Sequence, residues 1–487
     1  MGRGLASMML PHSLRGTVCM GVSAAVAAVL LAEVGLFLFA AVSCPWPTPP
    51  SPPTVSHRGL SPQTPTAPLR ERVLLLSDIH LLGRRRSALD RGWTDWQLYK
   101  SFRMLRWWLD PTAVFLMGDL LDEGGRSTDK LHESYLARFA GIFGEVTPAS
   151  ELGGRRANGD AAFSGAGEDP ASPSSPASAS STAASPVAVV ALIGNHDSEF
   201  GNYQRRHMVD RFEAAFGGGR RVNDRLVLPR TNTSVATINS LALDGTPRDP
   251  SLQEDVLRFL DAQRAAGRGA DILLTHVPLH RPTDLACGAE RLREGGHVTY
   301  ASPERRYVGD GTDVVSRLRS DQVLRSMVPR LVLSGHTHAR CHHIVHPHVG
   351  AALHEASIAG SAKAAKAAAN AAAAAAAAAA NAVGGHVEAG TVPPSELGRS
   401  HREEEHAGAL EYTIPTFSWR MRPDPGFGVA TWGPAGSFPK VQTCELPNEH
   451  TVFGIYIALG CVVALLLAHY VVRRVASAFS GKGRKTR

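Results

Sequence analysis

Cysteine is scarce in this chain, six among 487 residues, and none falls inside the polar blocks that mark its chemistry. A thiolate-bound structural zinc site is therefore disfavoured, whereas a metal held by oxygen and imidazole is not. No nucleic-acid motif is present, and no nucleic-acid partner is expected, so the formal charge of +7 has another meaning. Much of the excess sits where acidic residues are missing, in Arg473, Arg474, Lys482, Arg484, Lys485 and Arg487 of the C-terminal tail. A one-signed cluster beside an apolar run reports topology.

Ionised side chains are also nearly absent from two long apolar stretches. Residues 17–42 contain only Glu33, and residues 452–472 contain none. As a helix, either can cross a hydrocarbon core of about 30 Å. Arg3 and Arg15 precede the first stretch and the basic tail follows the second. The positive-inside rule then places residues 1–16 and 473–487 in the cytosol and the region between the spans in the lumen. Glu33 is costly in mid-bilayer and is expected to face the second helix or to snorkel. Cleavage after Ala41-Val42-Ser43 is the alternative, but the apolar run exceeds the roughly 7–15 residues of a signal core and favours an uncleaved anchor.

Composition divides the rest. Residues 43–70 are rich in Pro, Ser and Thr and read as an extended stalk. Within a catalytic region at 71–450, insertions at about 148–186 and 357–406 are low in complexity. The second contains the run Ala371 to Ala380, which favours a transient helix over 362–382. A third span there would move the basic tail into the lumen, against the charge rule.

Five polar blocks each end or follow a short run of branched aliphatics. Val73 to Leu76 leads to Asp78-Ile79-His80, and Val114 to Met117 leads to Gly118-Asp119-Leu120-Leu121-Asp122. Val187 to Ile193 leads to Gly194-Asn195-His196-Asp197, Ile272 to Leu274 leads to His276, and Leu331 to Leu333 leads to Gly335-His336-Thr337-His338. Runs this short read as buried strands whose polar ends gather along one edge of a sheet, where open α/β folds bind ligands. Any one block alone is a common turn or loop. All five in order predict a two-metal hydrolase. Residues Trp93 to Leu109 predict a helix with Leu98, Phe102, Leu105 and Leu109 on its buried face. Of Trp107 and Trp108, one is expected under a loop and the other partly exposed. Thr413 to Arg422 and Val429 to Trp432 read as late strands.

From about Val73 to Arg340 this pattern resembles the calcineurin-like metallophosphoesterases. The resemblance implies an α/β fold of two packed sheets flanked by helices. It implies that Asp78, His80, Asp119 and His338 hold one metal, that Asn195, His276 and His336 hold the second, and that Asp119 bridges them. His196 would be the catalytic histidine near the leaving group, with Asp197 beside it to orient the imidazole. The cofactors would be two divalent ions, manganese first, with iron or zinc as alternatives. Two such ions carry about +4, which two carboxylates and a hydroxide reduce to roughly +1, a match for a phosphodiester.

Stretches around Trp93-Thr94-Asp95-Trp96-Gln97, Thr275 to Arg281 and Thr416 to Arg420 resemble the membrane-bound branch that removes ethanolamine phosphate from GPI-anchor glycans. The chain departs from that branch by its insertions and by His280, where an aromatic is usual. The resemblance implies GPI-anchored proteins as substrates, with Arg281 and Arg420 as candidate substrate contacts, since guanidinium forks match phosphate oxygens. It also implies residence in the early secretory pathway. Arg484-Lys485-Thr486-Arg487 resembles a dilysine retrieval signal for a coat or cargo receptor, and a plain stop-transfer cluster is the alternative. Two other functions stay open: a lumenal phosphodiesterase of another substrate, and a non-catalytic membrane scaffold or metal-homeostasis protein.

Cys19 and Cys461 lie in the apolar stretches, where reduced thiols are ordinary. Four cysteines remain, which allow three pairings. Cys44 follows the first span and Cys444 precedes the second, so Cys44–Cys444 with Cys287–Cys341 is the preferred scheme, in a lumen that permits disulfides. Asn232-Thr233-Ser234 is a glycosylation sequon that a lumenal topology exposes.

Overall fold

The computed structural model describes residues 21, 23–47, 70–144, 147–148, 187–228, 230–245, 247–281, 287, 312–346, 408–433 and 438–482. The expectations for residues 1–16, for nearly all of the stalk and both insertions including the alanine run, and for Arg484 to Arg487 lie outside these residues.

Among the described residues, twelve strands form two six-stranded sheets. The first has the order β12-β11-β1-β2-β4-β3, with β1 Glu71–Leu76, β2 Ala113–Leu116, β3 Thr147–Pro148, β4 Ala188–Ala191, β11 Gly426–Trp432 and β12 Lys440–Glu445. The second has the order β5-β6-β7-β8-β10-β9, with β5 Asp224–Leu228, β6 Thr233–Ile238, β7 Ile272–Thr275, β8 Leu331–Ser334, β9 Cys341–Val345 and β10 Ala409–Thr413. The strands that precede the polar blocks pair in parallel within each sheet: β1 with β2 and β2 with β4, then β7 with β8. Parallel alignment brings their carboxyl ends to one side.

Alternation along these strands explains the layering. Val73 and Leu75 of β1, Phe115 of β2, Leu274 of β7, Leu333 of β8 and Trp432 of β11 share one core between the sheets. Leu74, Leu76, Val114, Leu273 and Val332 point the other way, into a core shared with the helices. Strands covered on both faces need no polar face, which is why these runs are continuously apolar. The sheets therefore sit face to face with helices outside, the two-sheet α/β arrangement expected. The polar ends gather from two sheets rather than along the edge of one, because β7 and β8 belong to the second.

Among the described residues, two terminal helices are long and apolar enough to cross a membrane: α1 Ser23–Val42, with mean hydropathy 2.5, and α8 Glu449–Lys482, whose apolar window Glu449–Ala476 also averages 2.5. Between them lies α2 Ala88–Leu109, capped by Ser87, whose hydroxyl accepts from the Asp90 N–H. Leu98, Phe102, Leu105 and Leu109 form its buried face. Trp107 and Trp108 are 69% and 47% exposed, so neither packs under a loop. The late segment also differs from expectation. Strand β10 ends at Thr413, and the chain then crosses Asp78 as a loop, in which the Thr416 hydroxyl donates to the Asp78 carbonyl at 2.8 Å.

Glu33 faces the second apolar helix, as expected, and also a third element. Its carboxylate accepts from Tyr456 of α8 and Trp96 of α2 and pairs with Lys100 of α2 at 2.9 Å. The helix takes a π-turn at Leu31–Gly35 around this residue. The structure joins Cys44 to Cys444 and Cys287 to Cys341. Asn232 is exposed at the turn between β5 and β6, with φ +55°.

Candidate metal centre

Three of the blocks bend sharply as they leave their strands. Asp78, His80, Asp119, His336 and His338 all have positive φ, between +46° and +69°. Non-glycine residues avoid this region, and their clustering at one place marks strain that the surrounding fold must hold. Two glycines make the close approach possible. A Cβ on Gly118 would sit 2.3 Å from Nδ1 of His276, and one on Gly194 would sit 2.1 Å from the Asp119 backbone nitrogen.

The bends bring together the residues that the resemblance assigned to metals. Asp78, His80, Asp119 and His338 offer ligand atoms within 4.8 Å of one another, and Asp119, His276 and His336 form a second such group. Asp119 belongs to both. Its Oδ2 lies 3.5 Å from His80 Nε2, and its Oδ1 lies 3.4 Å from His276 Nε2. Asn195 joins the second group, with Oδ1 3.2 Å from His276 Nε2. His338 Nε2 is 3.7 Å from Asp78 Oδ1.

The ring nitrogens fit metal ligation. His276 Nδ1 donates to the Met117 carbonyl at 2.8 Å, which turns Nε2 toward Asp119 as the ligand atom. His336 Nε2 donates to the Thr312 carbonyl at 2.7 Å and leaves Nδ1 for a metal. His80 is fully buried, and neither of its nitrogens has a hydrogen-bond partner. A buried polar group without a partner is costly, and a cation between these donors would satisfy it.

The charges agree. Burial pushes the Asp78 carboxyl up to about 6, assisted by neighbouring Asp119. Burial opposes charge on Asp119 too, but His276 and His196 hold it well below the usual carboxylate range. Burial also opposes protonation of His276, yet Asp119 raises it to about 9. Burial and the charge of His276 lower His336 to about 4, and burial with His80 lowers His338 well below its ordinary value. His336 and His338 are thereby held neutral, as metal ligands must be, and a cation at Nε2 of His276 would displace the proton that Asp119 favours there.

His196 is one-third exposed beside this cluster, its ring 4.5 Å from that of His80 between centroids. Asp197 does not orient it. The Asp197 carboxylate accepts from the backbone N–H groups of Leu120, Leu121 and Gly194, at 3.2, 2.9 and 2.9 Å, and so ties two ligand loops together. Adjacent residues on a helical turn point in different directions, and the turn Asn195–Ser198 separates these two. Asp122 takes the orienting place. Its carbonyl meets His196 Nδ1 at 3.0 Å, and its carboxylate lies 3.7 Å from that nitrogen and 3.5 Å from His80 Nδ1.

A cleft of about 410 Å³ opens beside His196, and Arg85, Arg86 and Arg126 are among the side chains that line it. The run Arg84-Arg85-Arg86 was the available sequence signal, and it was missed. Neither arginine singled out from sequence lines this cleft: Arg281 is only 2% exposed, and Arg420 is partly buried on the loop after β10.

The calcineurin-like phosphoesterase family model matches residues 71–340, more than half of the chain and all five blocks. The chain belongs to the calcineurin-like phosphoesterase family. Among curated proteins it is similar to Metallophosphoesterase 1 of Mus musculus, 25% identical over 468 residues that cover 91% of this chain and 87% of the relative. The same-named protein of Gallus gallus is 26% identical over 465 residues, covering 91% and 87%, and that of Xenopus laevis 25% over 465 residues, covering 90% and 85%.

The family and the donor set together make this a metal-dependent phosphoesterase. Divalent ions held by these residues would supply an activated water and polarise the phosphoryl oxygens. The protein's part is separable. Asp119 fixes the spacing of the two groups, Met117 and Thr312 carbonyls fix two imidazole tautomers, and His196 stands where it can give a proton to a departing oxygen. Asp122 holds that ring in place.

Proposed function

We propose that the chain is a lumenal phosphodiesterase that removes ethanolamine phosphate from the glycan of GPI anchors, using two manganese ions. The observation that carries this reading is Asp119, with one oxygen toward each donor group, in a domain strung between two membrane-length helices. Two oxygen- and nitrogen-rich sites sharing a carboxylate suit manganese and an in-line displacement at phosphorus.

Several features support the lumenal placement. The basic flanks favour cytosolic ends. The bonded pairs Cys44–Cys444 and Cys287–Cys341 belong to an oxidising compartment, and Asn232 is accessible to glycosylation. GPI-anchored proteins are then the substrates, the early secretory pathway is the place, and the basic tail is the contact for a coat or cargo receptor. Cells lacking the protein are expected to accumulate GPI anchors with an extra ethanolamine phosphate, read by mass spectrometry of released anchors. Wild type restores them and His196→Ala does not. Anchors of normal composition would end the GPI reading and leave the phosphoesterase intact.

A further inference from the structure

Three contacts fix how α2 lies against α1. Trp96 donates to Glu33, Lys100 sits 4.2 Å above the Phe37 ring, and the Trp46 indole donates to the Leu109 carbonyl at 3.0 Å. Each pair is separated by 63 residues in sequence, so the two segments run side by side in the same direction. Residues of α2 before Trp96 therefore continue along α1 past Glu33, toward Val26, Val29 and Leu30, which are 53%, 38% and 56% exposed. At a rise of about 1.5 Å per residue, Leu89 lies about 10 Å beyond Trp96 along the α2 axis.

What α2 presents there is unusual for a protein facing only water. Leu89 is 86% exposed and Trp96 47% exposed, on one face of the helix. Immediately before them come Arg84, Arg85 and Arg86, all exposed. Tryptophan is favoured at the boundary between headgroups and acyl chains, and guanidinium groups pair with lipid phosphates.

We propose that the turn 84–89 and the exposed face of α2 down to Trp96 dock on the surface of the bilayer that α1 and α8 enter. Leu89 and Trp96 sit at the headgroup boundary, and Arg84 meets lipid phosphates. Arg85 and Arg86 belong to the same turn and also line the cleft beside His196. The cleft therefore opens at headgroup level, and its substrates are phosphodiesters carried by membrane-attached molecules. The inference rests on the membrane reading of α1 and α8, and not on any one substrate.

The test uses full-length protein in phosphatidylcholine–phosphatidylserine nanodiscs, with Cys19→Ser and Cys461→Ser and both disulfides intact. A fluorophore is placed on Leu89→Cys, on Leu465→Cys within α8, or on Asp261→Cys of the helix Pro250–Ala265 on the second sheet. Lipids with a nitroxide near the headgroup are expected to quench the label at 89 strongly and the label at 261 hardly at all. A label at 89 as unquenched as that at 261, with quenching at 465 intact, would overturn the docking and spare the membrane reading. Loss of quenching at 465, by lipids with the nitroxide near the headgroup and by lipids with it deep in the acyl chain, would remove both. Leu89→Glu is expected to lower turnover of a lipid-linked phosphodiester several-fold and to leave bis(p-nitrophenyl) phosphate hydrolysis unchanged. Equal losses on the two substrates would overturn the proposal.

Discussion

Two clusters among the described residues, one at the apolar helices and one at the strand ends, join carboxylates to potential cations, and the first is complete while the second is not. At the junction with the apolar helices, Glu33 has Lys100, Trp96 and Tyr456, and Lys100 lies over the rings of Phe37, Trp93 and Trp419. Every strong group there has a protein partner. At the carboxyl ends of the strands, His80 makes no hydrogen bond through either nitrogen and only faces the Asp119 and Asp122 carboxylates at 3.5 Å, while Asp78 and Asp119 crowd each other in a fully buried site. A satisfied cluster holds elements together, while an unsatisfied one is built for something the chain does not supply. The contrast separates structural polarity from catalytic polarity without reference to any motif.

The largest effects should come from breaking the incomplete cluster. Asp119→Ala removes the carboxylate common to both donor groups, so bound metal and turnover should fall to background together. His196→Ala should keep its metal and lose turnover by about 10²–10⁴-fold, the range for a missing general acid. Metal analysis of both purified variants beside wild type checks this pair. Full activity in Asp119→Ala would show that one group suffices.

The candidate metal centre was legible in sequence as a cluster of donors, because its residues are written in short blocks that the strands deliver in order. Asp78, His80, Asp119, Asn195, His276, His336 and His338 all fall where their blocks predict, since a residue just past a strand end has little freedom to be elsewhere. What escaped depended on directions within a turn or on contacts far apart in the chain. Asp197 looked like the partner of His196 because it is next in sequence, but the turn aims its carboxylate at the Leu120 and Leu121 amides. Asp122, 74 residues from His196, fills the role instead. Glu33 looked like a charge in mid-bilayer because hydropathy cannot tell where a helix leaves lipid. Phe37 and Ala41, 1% and 0% exposed, show that one face of the end of α1 packs on the protein, while Phe39 and Val42 on its other face stay exposed.

The complete cluster should fail differently. Lys100→Met leaves Glu33 buried without its cation, and breaking such a pair from one side typically costs about 3–5 kcal/mol. The double variant Glu33→Gln with Lys100→Met removes both charges and should recover most of that loss, because a well-packed neutral pair carries no desolvation penalty. Thermal unfolding in nanodiscs measures both, and bound metal per folded molecule should not change in either. Metal loss in Lys100→Met would mean that the two clusters are coupled through the loop that carries Trp419 and Thr416.

The smallest and most discriminating change concerns the two carboxylates around His196. Asp122 lies beside His80 and beside His196, so it touches one candidate metal ligand and the candidate proton donor. Partners of this kind are worth about 10–100-fold in metal affinity or activity when altered. Asp122→Asn keeps the backbone carbonyl that meets His196 Nδ1, which places the expected loss toward the lower end of that range, with the fold intact. Asp197→Asn should do the opposite. Its carboxylate joins two loops through three backbone N–H groups. A hydrogen bond to a charged group contributes about 1.5–3 kcal/mol, and the amide can replace some of these bonds but not all. The expected result is a lower unfolding temperature with near-normal turnover per folded molecule. A reversal, with Asp197→Asn folded but inactive and Asp122→Asn fully active, would return the orienting role to Asp197.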